Sequence, residues 1–251
     1  MAELLPKEIV KRRKEDKVQL SKRLQAVVNL ISRGAKVADV GCDHAYVSIY
    51  MVEKNLASKV IAMDVNKGPL ERARENIKRC HFENQIETRL SDGLQELKPG
   101  EADTLLIAGM GGALMQRILT GKMEVLEQVS ELILQPQSEI REMRIFLEKM
   151  GFSIIKEDMV IDDGKYYVMI KAKREEVPSK QEKEIFYRYG KYLLKNHHPI
   201  LKQYLQKEYG NLEQILQKLE GHLSSENEKR KEVIKTDMAF CKEGLAYYDN
   251  L

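Results

Sequence analysis

The sequence predicts an α/β protein built on a mostly parallel, doubly wound sheet. Short apolar runs at 37–40, 59–64, 86–90, 103–108 and 132–134 alternate with stretches of helical period. Four of these runs lead into polar or glycine-rich ends, at Gly41, Asp64, Asp92 and Gly109. The alternation closes at 152–161 and 165–173, two strand-like runs joined by Asp162-Asp163-Gly164, a strong hairpin signal. Strand–helix alternation capped by a hairpin implies one antiparallel strand near the sheet edge.

Taken in order, residues 7–17 are charged and read as a loosely held helix. Leu20, Leu24, Val27, Val28 and Ile31 then recur at helical spacing up to Gly34. Helices are predicted over 46–54, 66–80, 113–129 and 139–150, the last closed by Gly151. The strand pattern stops near Glu175-Glu176-Val177-Pro178. Beyond it the chain is rich in Lys, Glu, Gln and Leu. Pro199 opens a helix in which Leu205, Leu212 and Leu219 stand seven apart. Gly221, Ser224 and Ser225 break it, and Ser225 with Glu228 reads as a capping box for a second helix carrying Ile234, Met238, Cys241 and Leu245. Two such helices should fold back as an antiparallel pair. The expected divisions are a basic N-terminal extension (1–18), an α/β domain (19–175) and a C-terminal antiparallel helical domain (176–251).

The chain has 251 residues, 43% of them hydrophobic, enough for one substantial core and an appendage. The net charge of +3 does not announce a nucleic-acid binder, but its distribution is uneven. Residues 1–36 hold ten Lys or Arg against four acids. A basic arm on a near-neutral body is a candidate phosphate-binding surface, and a solvated helix face has the same composition. Cys42, Cys80 and Cys241 match no metal-ligand spacing and read as reduced thiols. With no apolar run of membrane length, the sequence reads as a cytoplasmic protein without membrane or metal.

The chemistry starts at 37–46. A strand, a Gly turn and a helix start form a nucleotide site. The glycine fingerprint for a dinucleotide is incomplete, and Asp39 and Asp43 make the loop acidic. An acidic loop suits a ligand with positive charge, such as the sulfonium and ammonium of S-adenosylmethionine. Asp64 can accept from ribose hydroxyls, as an acid does in NAD enzymes too. Asp92 can accept from the adenine amine, which favours S-adenosylmethionine. Each of these acids also has a plain reading as a helix cap.

The stretches Val-Ala-Asp-Val-Gly-Cys-Asp-His-Ala-Tyr (37–46), Ala-Met-Asp-Val-Asn (62–66), Leu-Ser-Asp-Gly-Leu (90–94), Ile-Ala-Gly-Met-Gly-Gly (107–112) and Leu-Ile-Leu-Gln-Pro (132–136) together resemble the bacterial tRNA (adenine-22-N1)-methyltransferase family, TrmK. The likeness runs from about 21 to 173, and the C-terminal helices resemble that family's coiled-coil domain. Residues 1–18 lie outside the pattern. The resemblance implies a Rossmann-like class I methyltransferase sheet, S-adenosylmethionine as methyl donor and tRNA as acceptor. Candidate cofactor contacts are Asp39, Gly41, Asp43, Asp64, Val65, Asp92, Gly93, Ala108 and Gly109. Candidate substrate-positioning residues are His44, Tyr46 and Met110. Candidate RNA contacts are Arg12, Arg13, Arg23, Lys191, Lys195 and Lys202. The [DN]-P-P-[YF] motif of exocyclic-amine methyltransferases is replaced by Ala108-Gly109-Met110-Gly111-Gly112, and adenine N1 already carries a lone pair, so no obligate general base is expected. Alternatives at this point are a class I methyltransferase with another acceptor, an NAD-dependent dehydrogenase, and a non-catalytic RNA-binding protein that keeps the fold. A monomer is the expected state.

Overall fold

The structure is a computed structural model that describes residues 18–174, 181–220 and 225–249. Residues 1–17 of the N-terminal extension, the 175–180 boundary, residues 221–224 between the last two helices and residues 250–251 lie outside the described residues. Helix α1 (Lys22–Val28) leads into β1 (Ala35–Val40), α2 (Tyr46–Glu53), β2 (Ala57–Asp64), α3 (Lys67–Arg79) and β3 (Ile86–Leu90). Then come β4 (Thr104–Met110), α4 (Gly112–Thr120), α5 (Met123–Leu126), β5 (Glu131–Pro136) and α6 (Ile140–Lys149). The hairpin β6 (Phe152–Asp162) and β7 (Lys165–Arg174) precedes α7 (Glu184–Tyr189), α8 (Lys191–Lys195), α9 (Pro199–Glu220) and α10 (Ser225–Ala246).

The strands form one sheet in the order β3-β2-β1-β4-β5-β7-β6. The first five are parallel, and β7 runs antiparallel to both β5 and β6. This is the expected doubly wound sheet with a single reversed strand. The hairpin turn follows its sequence: Asp163 and Gly164 both have positive φ, at 48° and 73°, and Asp162 pairs with Lys165. One predicted helix is two. The stretch 113–129 breaks at Gly121 and Lys122, where Lys122 takes a non-helical conformation (φ −149°, ψ 81°).

The two-residue period of the strands sorts the core into two layers. Val37, Val60, Leu106 and Ile133 face α1, α2 and α3. Ala38, Ile61, Leu105 and Leu134 face the layer that holds α4, α5 and α6. That second layer continues without a gap into Ile185, Leu193, Leu194, Leu201 and Leu205 of the C-terminal helices.

The C-terminal helices are rooted by a buried ion pair on the edge strand. Arg144 Nε donates to Glu157 Oε1 at 2.8 Å, with both side chains at most 3% exposed. Arg144 Nη1 also donates to the carbonyls of Tyr187 and Arg188, and the Tyr192 backbone N–H donates to Glu157 Oε2. Gly190 is required between α7 and α8, because a Cβ there would lie 2.5 Å from Glu157 Oε1. Helix α9 then follows β6. His198 pairs with Asp158 at 3.0 Å, and Tyr204 packs edge-on against Tyr166, which lies opposite Ile161. Both helix and strand therefore advance toward the C-terminal ends of the parallel strands. Helix α10 returns antiparallel: Gly244 meets Leu205, and Lys242 lies over the Tyr209 ring. Toward the far end the seam thins. Leu212 and Leu219 are half-buried, and Ile215 and Val233 are exposed.

Replacing Arg144 by Met leaves Glu157 buried without its cation. The expected loss is about 3–5 kcal/mol of unfolding free energy, read as a lower urea midpoint; an unchanged midpoint would show that this pair does not anchor the helices.

Candidate active site

The C-terminal ends of β1 and β4 enclose a cavity of about 240 Å³ walled in part by Asp39, Asp43, Tyr46, Gly109, Arg23 and Gln137. Its floor is the turn after β1. Gly41 has φ 77°, and its N–H and that of Cys42 both donate to Met63 O on β2, at 2.8 and 2.9 Å. The left-handed φ of Gly41 favours glycine, and the Met110 Cε methyl packs into the space a Cβ there would take, 2.3 Å from it. Asp43 and Ala45 are also left-handed, at φ 49° and 58°. Such non-glycine conformations store strain and cluster at functional loops.

Asp39 is 5% exposed, and its Oδ2 accepts from Ser48 Oγ at 2.6 Å. Burial pushes its carboxyl up to about 6, the Ser48 hydrogen bond pulls it down, and the Asp64 charge adds to the rise. The Cys42 thiol is held far above its ordinary range, first by burial and then by the Asp39 charge, which makes it an inert wall. Asp64 ends β2. Its Oδ1 accepts from the Asn66 N–H at 2.8 Å, and its Oδ2 faces the Asp43 N–H at 3.4 Å. Asp92 is exposed after β3, on a turn fixed by Ser91 Oγ donating to Gly93 O. Asp64, Val65, Asp92 and Gly93 lie outside the cavity wall, along the neighbouring strand ends.

His44 and Tyr46 stack on each other at the cavity wall, with ring centroids 5.6 Å apart. His44 Nδ1 accepts from Arg72 Nε at 3.3 Å, and Asn76 Nδ2 donates to His44 O at 3.0 Å. The His44 ring is thereby held from α3, with Nε2 left toward Asp43 at 3.6 Å. Tyr46 is 42% exposed.

Of the expected RNA contacts, Arg12 and Arg13 lie outside the described residues. Arg23 lies in the cavity wall: its Nη1 donates to Gln135 Oε1 at 2.7 Å and its backbone N–H to Asp162 at 3.0 Å. Lys191 pairs with Glu182, while exposed Lys195 and Lys202 lie over the rings of Phe186 and Tyr248. Sequence reasoning missed Ser48, Arg72, Gln135 and Gln137 as site groups. Gln135 is completely buried, and its Oε1 accepts from both Gly109 N–H and Arg23. A buried glutamine ending an otherwise apolar strand was the signal available for it.

Among the described residues no group of three His, Cys, Asp or Glu is placed to hold a metal ion, and no helix is long and apolar enough to cross a membrane.

The family model for tRNA (adenine(22)-N(1))-methyltransferase matches residues 37–243. The tRNA (adenine(22)-N(1))-methyltransferase of Bacillus subtilis is 40% identical over 157 residues, which cover 62% of this chain and 66%, just under two thirds, of that enzyme. The crystal structure of the B. subtilis m1A22 tRNA methyltransferase TrmK superposes with a TM-score of 0.80 at 30% identity, covering 91% of this chain and 99% of that one. Streptococcus pneumoniae Sp1610 in complex with S-adenosyl-L-methionine gives a TM-score of 0.80 at 32% identity, covering 90% of this chain and all of that one.

The buried Asp39 makes a pH-dependent prediction. Its carboxyl titrates near 6 when folded rather than at the ordinary 3.8, so the folded state favours the protonated form. The cost of ionising it grows as pH rises from about 4 to about 6 and is complete above that, on the order of 3 kcal/mol. Asp39→Asn should therefore raise the unfolding free energy of the ligand-free protein more at pH 7 than at pH 4. An equal change at both pH values would assign the penalty to another group.

Proposed function

The chain belongs to the tRNA (adenine(22)-N(1))-methyltransferase family, and on that premise we infer that it methylates N1 of adenine 22 in tRNA with S-adenosylmethionine as donor. The observation that carries this reading is the acidic, glycine-floored cavity at the ends of β1 and β4, open beside the exposed Tyr46 ring stacked on half-buried His44.

The residues fit the cofactor chemically. Asp39 and Asp43 offer negative charge to its cationic methionine end, and Asp64 and Asp92 offer acceptors to ribose hydroxyls and the adenine amine. Gly41, Val65, Gly93, Ala108 and Gly109 contribute backbone and surface along the same strand ends. When bound, S-adenosylmethionine supplies an electrophilic methyl group on its sulfonium. The chain's own task is to bring the adenine N1 lone pair into line with that methyl. That lone pair lies in the ring plane and needs no deprotonation, so positioning supplies most of the rate, about 7–11 kcal/mol at best. Tyr46, braced by His44, offers a face for the unpaired base. Met110 fills the floor beneath it, against Gly41. Methylated adenine is cationic, and the ionised Asp39 and Asp43 stabilise the charge as it develops.

For the tRNA body we propose a surface along α8 and α9, with Lys195 and Lys202 as phosphate contacts. Lys191, paired with Glu182, contributes less. Support comes from the course of α9, which advances beside β6 toward the cavity end of the sheet. At about 1.5 Å per residue its 22 residues extend about 33 Å, long enough to reach phosphates far from the methylated base. The helices from 176 onward thus serve as an RNA-binding appendage to the methyltransferase sheet of 19–175. Arg23, from its place in the cavity wall, is assigned to the reaction site rather than to the tRNA body.

Three measurements follow. Mass spectrometry of tRNA nucleosides after incubation with protein and S-adenosylmethionine should show 1-methyladenosine at position 22; its absence overturns the reading. Asp64→Ala and Asp92→Ala should each weaken cofactor binding by about ten- to a hundredfold, the worth of a charge-assisted hydrogen bond. Lys195→Glu with Lys202→Glu should raise the KM for tRNA and flatten its salt dependence by about 0.7–0.9 per lost phosphate contact, leaving cofactor affinity unchanged. Unaltered tRNA binding would remove α8 and α9 from the interface.

A further inference from the structure

The reaction restricts how the enzyme can recognise its base. Adenine N1 must face the methyl group, so the edge used in base pairing is committed to chemistry. Recognition of the purine then falls to the other edge, where N6 donates and N7 accepts. A side chain that reads both needs one acceptor and one donor side by side, which is the geometry of a carboxamide.

Among the cavity-wall residues, one side chain meets that need. Arg23 only donates, Asp39 and Asp43 only accept when ionised, and His44 Nδ1 is taken by Arg72. The neighbouring Gln135 is a carboxamide, but it is fully buried and committed: its Oε1 accepts twice and its Nε2 donates to Pro136 O. Gln137 is exposed, and its side-chain amide has no hydrogen-bond partner among the described residues. Its main chain is fixed all the same. The Gln137 N–H donates to Met110 O at 2.9 Å, and Pro136 precedes it in register with Met110. Its Nε2 lies 3.8 Å from where a Cβ on Gly109 would stand. A free amide on a pinned backbone, beside the glycine that keeps the wall open, is placed to read a ligand.

We propose that Gln137 selects the acceptor adenine, its Oε1 accepting from N6–H and its Nε2 donating to N7, while N1 stays free for methylation. This rests on the functional reading above. Rotation about the terminal side-chain torsion sets the amide in the required sense. The same pair of contacts disfavours a guanine, whose O6 would face Oε1, acceptor against acceptor.

The test uses the full-length protein and two tRNA transcripts, one unmodified and one carrying 7-deazaadenosine at the methylated position. The deaza base keeps N1 and N6 and loses only the N7 acceptor. For the native protein, kcat/KM should fall about tenfold on the deaza transcript. Gln137→Leu should lose about 10- to 100-fold on the unmodified transcript, with no further loss on the deaza one. Gln137→Glu, which keeps the acceptor for N6 but sets a second acceptor against N7, should lose activity on the unmodified transcript and recover part of it on the deaza one. Cofactor affinity by calorimetry should stay the same in both variants. If Gln137→Leu still loses tenfold on the deaza transcript, or keeps native kcat/KM on the unmodified one, Gln137 does not read the base. Failure of the native protein to methylate the unmodified transcript would overturn the functional reading, and this inference with it.

Discussion

The position of β1 between β2 and β4 governs the rest of the molecule. All three strands are parallel, and the chain leaves β1 toward β2 on one side but takes up β4 on the other. Helices α2 and α3 therefore cover one face of the sheet, and α4, α5 and α6 cover the other. The gap between them opens at the C-terminal ends of β1 and β4, where α/β sheets bind ligands, and α1 walls one side of it through Arg23 and Leu24. The cleft is thus a product of topology, and the side chains at those ends decide what enters it. Gly41 answers to the same constraint. Its left-handed φ turns the chain out of β1, and the Met110 methyl from β4 packs against it.

The cleft is held in an unfavourable electrostatic state. Asp39 is buried near Asp43 on the following turn and Asp64 at the end of β2, and its carboxyl resists ionisation for lack of water. A cationic ligand relieves that resistance, because the charge Asp39 lacks as a partner arrives with the ligand. The protein accepts lower stability in this cleft in exchange for negative potential where we propose that the cofactor's cationic end binds. The Ser48 hydrogen bond offsets part of the penalty and fixes the carboxylate in place. On the opposite wall Gln135 ties Arg23 and Gly109 together through one carboxamide oxygen.

Much of this was legible in the sequence, because the informative residues sit within a few positions of a strand end. Gly41, Asp64, Asp92 and Gly109 each follow an apolar run, and parallel alternation alone brings such ends together. The hairpin turn was legible for the same local reason. What the sequence hid depends on long-range contacts. Arg23 belongs by composition to a basic N-terminal arm, and only folding brings it to Gln135, 112 residues away. The C-terminal helices carry a heptad-like leucine pattern that suggests a free-standing pair, yet Arg144, Glu157 and Tyr187 bind them to the sheet edge from three distant segments. Gln137 gave no signal at all, since a glutamine after a proline is an ordinary loop residue until Gly109 and Met110 are placed beside it.

We propose that four strand ends act as one cofactor seat, separate from the helices that follow the sheet. Amide hydrogen exchange of the full-length protein with and without S-adenosylmethionine tests it most directly. Exchange should slow in 41–46, 64–66, 91–93 and 109–112 together, with α8, α9 and α10 unchanged. Protection confined to the C-terminal helices, or to one strand end without the others, would contradict it.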